Sequence, residues 1–372
     1  MGIIRDRANK VLGLFDELSL DVIVIVNEAN LEYFTGIDSG LMFIVNRSMD
    51  TTLIVPRLDL QRVQEIVGND TRLIGYSTIE VPQRMPGGES LFVSKSLGDY
   101  LLREVGLKPN NIVGIDNPDS TVAKELNSVG VKTVNINESI LRLREIKDEY
   151  EVRMIEEATR ITEEALDDVL KSGLEGRRER DVAAMLYQGM ISRGAEDVAF
   201  KPIVASGPNG AYPHHVFTDR VIRRGELVTV DVGARYHLYC TDMTRTIAVG
   251  GPISGKIRDA ALAVLEAFRK ASNSVRPGVR ARDVDSIARD VLAEYGFDSY
   301  YIHSTGGHGV GIEVHERPTI GPSSDEELQP SEVITVEPGV YIKGVGGIRI
   351  EDTILVTESG SRAISRYPVD LF

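Results

Sequence analysis

Cysteine is nearly absent from this chain: one residue, Cys240, stands among 372. A single thiol cannot close an internal disulfide, so the fold does not depend on oxidation, and a reducing compartment, the cytoplasm, is the expectation. Basic residues are also short. Lys and Arg number 42 against 56 Asp and Glu, a formal charge of −14, which argues against a nucleic-acid partner because phosphate-backbone binding rests on Lys and Arg. Long apolar runs are missing too. The most apolar early stretch, 11–26, is broken by Asp16, Glu17 and Asp21, so it neither reaches the roughly 20 apolar residues of a membrane span nor has the form of a signal peptide. Met1-Gly2 is followed at position 6 by Asp rather than the Ser or Thr of a myristoylation site. With 15 prolines, 42% hydrophobic and 26% charged residues, the chain is neither disordered nor collagen-like.

What is present is enough sequence for about two domains at roughly 100 to 200 residues each. The first part alternates short β-branched runs, at 21–26, 41–46 and 52–55, with amphipathic stretches such as 58–67. That is an α/β pattern. Pro82, Pro86 and Gly87-Gly88 make 81–89 an expected exposed loop, mobile enough to matter for a site rim. From Glu145 to Lys171 the texture becomes a long amphipathic helix, with Val152, Ile155, Ala158, Ile161, Ala165 and Val169 at steps of three and four. The expected domains are therefore 1–145 and 146–372.

The second domain carries an internal repeat. The run Glu226-Leu-Val-Thr-Val-Asp231-Val-Gly233 matches Glu332-Val-Ile-Thr-Val-Glu337-Pro-Gly339 at an offset of 106. Upstream, Arg180-Asp181-Val182 matches Arg282-Asp283-Val284 at an offset of 102, each in a helical pattern after a glycine-bearing turn. Two copies are too few for a solenoid and suit a closed pseudo-twofold domain, each copy built as helix, helix and strand pair.

Each repeated strand ends in a carboxylate and is followed by an apolar run that carries another. Asp231 and Asp242 are 11 apart, which centres their connection between Tyr236 and His237; Glu337 and Glu351 are 14 apart, centred on Gly344. Both read as antiparallel hairpins holding two acids at facing positions about 5 Å apart. Like charges so placed are destabilising when desolvated. Either pair alone could be solvated edge-strand acids; two pairs at equivalent places in a repeat call for a common cation, and four carboxylates can hold two divalent ions.

Five of the six histidines fall in two windows, His214 and His215, and His303, His308 and His315. His308, set between Gly306-Gly307 and Gly309, is the expected imidazole ligand, since glycine lets the backbone bring the ring close to an ion. His215 is expected to be the exposed neighbour of His214, and Cys240 inert packing. The glycine-rich run has neither Rossmann spacing nor a P-loop lysine.

Pro213-His214, Asp231 with Asp242-Met-Thr-Arg-Thr246, His308-Gly-Val-Gly311 with His315-Glu316, Val336-Glu-Pro-Gly339 and Arg349-Ile-Glu-Asp352 together resemble the pita-bread metallopeptidases. The glutamate spacing looks like prolidases and short aminopeptidase P relatives. Residues 30–36, Asn-Leu-Glu-Tyr-Phe-Thr-Gly, resemble part of the family's creatinase-like N-terminal domain. The resemblance implies an α/β creatinase-like domain followed by an α+β pita-bread domain. It also implies that Asp231 binds one metal, His308 and Glu337 bind the other, and Asp242 and Glu351 bridge both, with His214, His315 and Arg349 around them. His303 stands five residues before His308, where the family pattern has four, which leaves its role open.

A hard, oxygen-rich donor set favours Mn²⁺ or Co²⁺, with Zn²⁺ and Fe²⁺ as further candidates. The expected reaction is hydrolysis before proline in a small peptide that carries proline at its second position. Glu337 is expected to shuttle the proton, and His214 and His315 to donate to the tetrahedral intermediate or the substrate. Arg349 orients Glu351, meets the proline carboxylate or forms a supporting salt bridge. The expected enzyme is an Xaa-Pro dipeptidase; an Xaa-Pro aminopeptidase and a non-catalytic pita-bread binding module are the alternatives. Analogy with the family implies a homodimer, and no membrane partner is expected.

Overall fold

The computed structural model describes residues 3–80 and 90–372. Both Met1-Gly2 and the 81–89 segment, expected to be an exposed loop, lie outside the described residues. The chain divides into two compact units, Met1–Arg144 and Glu145–Phe372.

The first unit is built on strands β1 Val22–Ile25, β2 Met42–Asn46, β3 Thr51–Pro56, β4 Arg72–Ser77, β5 Leu91–Val93, β6 Ile112–Ile115 and β7 Lys132–Asn135. They form one sheet in the order β5-β4-β3-β2-β1-β6-β7, antiparallel at β1–β2 and β2–β3 and parallel elsewhere. Every residue of β1 is buried, as a strand covered on both faces requires. Val22 and Val24 pack with Leu101, Val122 and Leu126 from the helices Gly98–Arg103 and Thr121–Ser128. Phe34 and Phe43 stack at 6.0 Å. The 30–36 segment lies in the helix Glu28–Thr35, ended by Gly36 at φ 69°. Asn30 is buried there, hydrogen-bonded to Asp116, Asn137 and Arg144, so the motif ties this unit together.

The second unit opens with the helix Glu149–Lys171, started by a capping box between Asp148 and Glu151. The helix Glu179–Ile191 follows, then β8 Asp197–Val198, β9 Ile203–Ser206, β10 Leu227–Val232, β11 Ala234–Tyr236, β12 Tyr239–Cys240 and β13 Met243–Ala248. The pattern recurs with helices Lys256–Ser274 and Ala281–Glu294, then β14 Gly307–Gly309, β15 Glu316–Ile320, β16 Val333–Val336, β17 Gly339–Ile342, β18 Gly346–Arg349 and β19 Asp352–Val356. In the first copy β10 lies between β13 and β9; in the second, β16 lies between β19 and β14. All four pairings are antiparallel.

Each copy has its own core. Val228, Val230 and Val232 pack with Ile161, Ala165, Val182 and Leu186, while Ile334 and Val336 pack with Ala260, Val264, Val284 and Val291. Because strand side chains alternate, Thr229 and Asp231, and likewise Thr335 and Glu337, project from the opposite face. There the copies meet through polar groups: Thr229 Oγ1 lies 3.4 Å from the Gly347 carbonyl, Thr353 Oγ1 donates to the Asp242 carbonyl at 2.7 Å, and Thr244 bridges to Glu351. Packing valines against helices is what turns the acids towards the junction.

Candidate metal centre

The Glu337–Glu351 hairpin has the expected register. Val336 faces Asp352 and Gly339 faces Arg349, which sets the two glutamates opposite each other about Gly344, itself at φ 80°. The aspartate hairpin is shifted by one residue. Its turn is made by His237 and Leu238, both at positive φ, flanked by Tyr236 facing Tyr239. Asp231 therefore faces Thr244, and Asp242 precedes Met243, which faces Val232. The aspartates are diagonal neighbours on one face rather than directly opposed. No Gly or Asn marks this turn, so nothing local revealed the shift.

Asp242, His308 and Glu351 each offer a ligand atom within 4.8 Å of the others. His308 Nε2 lies 3.4 Å from Glu337 Oε1 and 3.7 Å from Asp242 Oδ2. Its Nδ1 lies 3.1 Å from the Gly309 carbonyl; a proton there leaves the Nε2 lone pair directed at the acids. Burial lowers the His308 pKa, which also favours the neutral ring. The glycine row serves close packing: a Cβ on Gly307 would stand 2.1 Å from the Thr335 carbonyl oxygen.

The acids carry the electrostatic cost. Burial, then the charges of Glu351, Asp231 and Glu337, hold Asp242 well above the usual carboxylate range. Burial, then Glu337 and Asp231, does the same to Glu351. Glu337 is pushed up to about 7, by burial and by Asp231 against the opposing pull of Arg349. Arg349 Nη2 pairs with Asp231 Oδ2 at 2.5 Å, and the same guanidinium donates to Tyr341 Oη at 2.9 Å and Thr244 Oγ1 at 3.0 Å. Its ion partner is thus Asp231, the supporting salt bridge among the roles expected from sequence, while the Thr244 hydroxyl donates to Glu351 Oε2 at 2.7 Å. Asp231 Oδ1, Asp242 Oδ1 and Glu351 Oε1 are buried with no hydrogen-bond partner among the described residues. Such orphaned oxygens, each costing about 1–3 kcal/mol, are what divalent cations satisfy, so the donor set fits the metals implied by the sequence.

The remaining histidines separate by role. The His315 ring lies 4.4 Å from that of His308 and is solvent-exposed. His214 is also exposed. Despite the extra glycine before His308, His303 stays at the centre: its Nδ1 is 4.0 Å from Glu337 Oε2 and its ring stacks on Tyr341 at 5.0 Å. The expectation for His215 is corrected. It is half-buried and its Nε2 lies 3.0 Å from the fully buried Glu179 carboxylate. Cys240 Sγ contacts the Ile312 carbonyl at 3.4 Å. Sequence reasoning missed Thr244 and Tyr341 as supports; both lie in strands beside candidate ligands, which was the available signal.

Residues 153–358 match Metallopeptidase family M24, and residues 7–146 match the Creatinase/Prolidase N-terminal domain. An Xaa-Pro dipeptidase of Pyrococcus horikoshii is 37% identical over 369 residues, 98% of this chain and 98% of that protein. The structure of a prolidase from Pyrococcus furiosus superposes with a TM-score of 0.81 at 36% identity, covering 96% of this chain and 99% of that one. An X-Pro aminopeptidase structure from Thermotoga maritima gives 0.84 at 28% identity, covering 98% and 99%.

Proposed function

The chain belongs to metallopeptidase family M24, and from that premise we propose that it is a dinuclear Xaa-Pro dipeptidase. The observation that carries this reading is the set of buried oxygens on Asp231, Asp242 and Glu351 with no hydrogen-bond partner among the described residues, beside His308 and Glu337. Among the described residues, four carboxylates against the Arg349 guanidinium leave a surplus of negative charge that divalent ions would offset. Asp231 would hold one ion, His308 and Glu337 the other, and Asp242 and Glu351 would reach both. The oxygen-rich donors favour Mn²⁺ or Co²⁺.

When bound, the ions supply a water acidified towards neutrality and a Lewis acid for the scissile carbonyl. The chain's own groups do the rest. Glu337 moves the proton from the attacking water to the departing proline nitrogen; its side chain is 15% exposed where that of Asp242 is 8%, so it is the more accessible of these two acids. His214 and His315, both exposed, bind the substrate and donate to the developing oxyanion. Arg349 holds Asp231 and is committed there, which leaves the proline carboxylate to other groups. His303 packs against Glu337 and excludes water from that side. No protein nucleophile is required.

Similarity to the Thermotoga maritima X-Pro aminopeptidase structure supports a second reading, removal of the first residue from longer Xaa-Pro peptides. Both are tested by assaying chelated protein on Ala-Pro and Ala-Pro-Gly before and after adding Mn²⁺, Co²⁺ or Zn²⁺. Metal-dependent cleavage of Ala-Pro alone is expected. Cleavage of the tripeptide after its first residue would favour the aminopeptidase, and no cleavage with any metal a binding module. The lone cysteine supports a cytoplasmic location, and analogy with the family a homodimer; among the described residues no helix is long and apolar enough to cross a membrane.

A further inference from the structure

Glu179 opens the helix Glu179–Ile191 and is fully buried. A buried carboxylate is costly unless donors surround it, and this one faces six. Its Oε1 accepts from the Ser206 amide at 2.9 Å, the Ser206 hydroxyl at 2.7 Å and Asn209 Nδ2 at 2.9 Å. Its Oε2 accepts from the Thr218 amide at 2.9 Å and hydroxyl at 2.7 Å, with His215 Nε2 at 3.0 Å. Burial works to raise this carboxyl, but His215, Ser206 and Thr218 bring it down to about 2. It is ionised at any pH near neutrality.

The donors come from both ends of one segment. Ser206 ends β9 and Asn209 lies in the short 3-10 turn Gly207–Ala211, whereas His215 and Thr218 follow Pro213-His214. One carboxylate thus closes 206–218 into a loop that carries His214. The second copy holds the loop from another side. Arg349 Nη1 donates to the Pro213 carbonyl at 3.4 Å, and a Cβ on Gly210 would stand 2.8 Å from the Gly347 nitrogen. None of the five candidate metal ligands is among the donors to Glu179.

We propose that Glu179 is the positioning residue of this loop, fixing 206–218 through Ser206, Asn209, His215 and Thr218 so that His214 is presented to the substrate. The last clause rests on the Xaa-Pro reading of the site; the clamp on the loop does not. Charge is essential to the device, because a carboxamide nitrogen in place of one oxygen would oppose N–H groups to donors already there.

The test uses the full chain with Glu179→Gln, and with Thr218→Val, which removes one donor at an exposed position and keeps the buried acid should the first variant fail to fold. In chelated protein, amide exchange in 207–218 should accelerate by about tenfold or more in each folded variant while that of 333–356 is unchanged. With Mn²⁺ and Ala-Pro, kcat/KM should fall by about tenfold or more, through both a higher KM and a lower kcat because His214 binds the substrate and donates to the oxyanion, while Mn²⁺ affinity should stay within about twofold. In a His214→Ala background the same substitutions should add little, since the positioned group is gone. Unchanged exchange in 207–218, or Mn²⁺ affinity that falls in step with activity, overturns the proposal. Accelerated exchange in a protein whose parent leaves Ala-Pro intact supports the clamp and overturns the Xaa-Pro reading instead.

Discussion

Asp242 concentrates the electrostatic problem of the centre in one side chain: it is buried, and three other acids raise its pKa. Asp242→Asn should therefore have opposite effects in the two states of the protein. Without metal it should relieve repulsion and stabilise the fold by about 1–3 kcal/mol; with metal it should remove the proposed bridging ligand and abolish turnover on Ala-Pro. Thermal melts with and without Mn²⁺ measure both, and an undiminished metal-induced shift in the variant would refute the bridging role. The pH dependence follows from the same groups. Asp242, Glu337 and Glu351 all have folded-state pKa values above their ordinary ones. Between the ordinary carboxylate value and the raised one, the metal-free fold holds protons that the unfolded chain has released, so it loses stability as pH rises through that window, which for Glu337 reaches about 7. Metal binding displaces those protons. The gain in melting temperature on adding Mn²⁺ should be larger at pH 8 than at pH 5; equal gains would contradict the account. That the acids and His308 would lie together was legible, the acids because they recur at fixed spacings and His308 because glycines flank it. The partners of Arg349 and His215 were not, because Asp231 and Glu179 lie 118 and 36 residues away and no spacing rule reaches that far.

Among the elements, the two ribbons are joined by more than the centre itself. Arg245 is fully buried on β13 and pairs with Asp352 at 2.7 Å, while its other nitrogens donate to the carbonyls of Thr244, Glu351 and Pro368. Removing it takes the guanidinium away from the buried Asp352 carboxyl, which burial already holds above its ordinary value. Arg245→Ala should cost about 3–5 kcal/mol in chemical denaturation and weaken Mn²⁺ binding, because Glu351 follows the ribbon. A variant that unfolds at the denaturant midpoint of its parent would show that the ribbons are held elsewhere. Element existence was readable from periodicity: the 145–171 expectation became Glu149–Lys171, and 52–55 became Thr51–Pro56. Register was readable only where glycine marked the turn. Gly344 centred one hairpin correctly, whereas His237-Leu238 moved the other by one residue and turned facing aspartates into diagonal ones.

For the whole molecule, duplication explains why acids from distant parts of the chain share one place. Each copy buries its aliphatic strand residues under its own two helices, which leaves the opposite faces, with their threonines and acids, to meet each other. The repeat was visible in sequence as two matching eight-residue runs, and the family resemblance extended over both units. Whether the pocket admits only dipeptides depends on how loops stand around the substrate, which spacing does not encode. The central claim is that Asp231, Asp242, His308, Glu337 and Glu351 together bind two divalent cations, and anomalous diffraction from crystals of the full chain equilibrated with Mn²⁺ tests it most directly. Two anomalous peaks about 3.5–4 Å apart are expected, with Asp242 and Glu351 reaching both. A map without peaks among these residues, or with a single ion that leaves Asp231 unused, would contradict it.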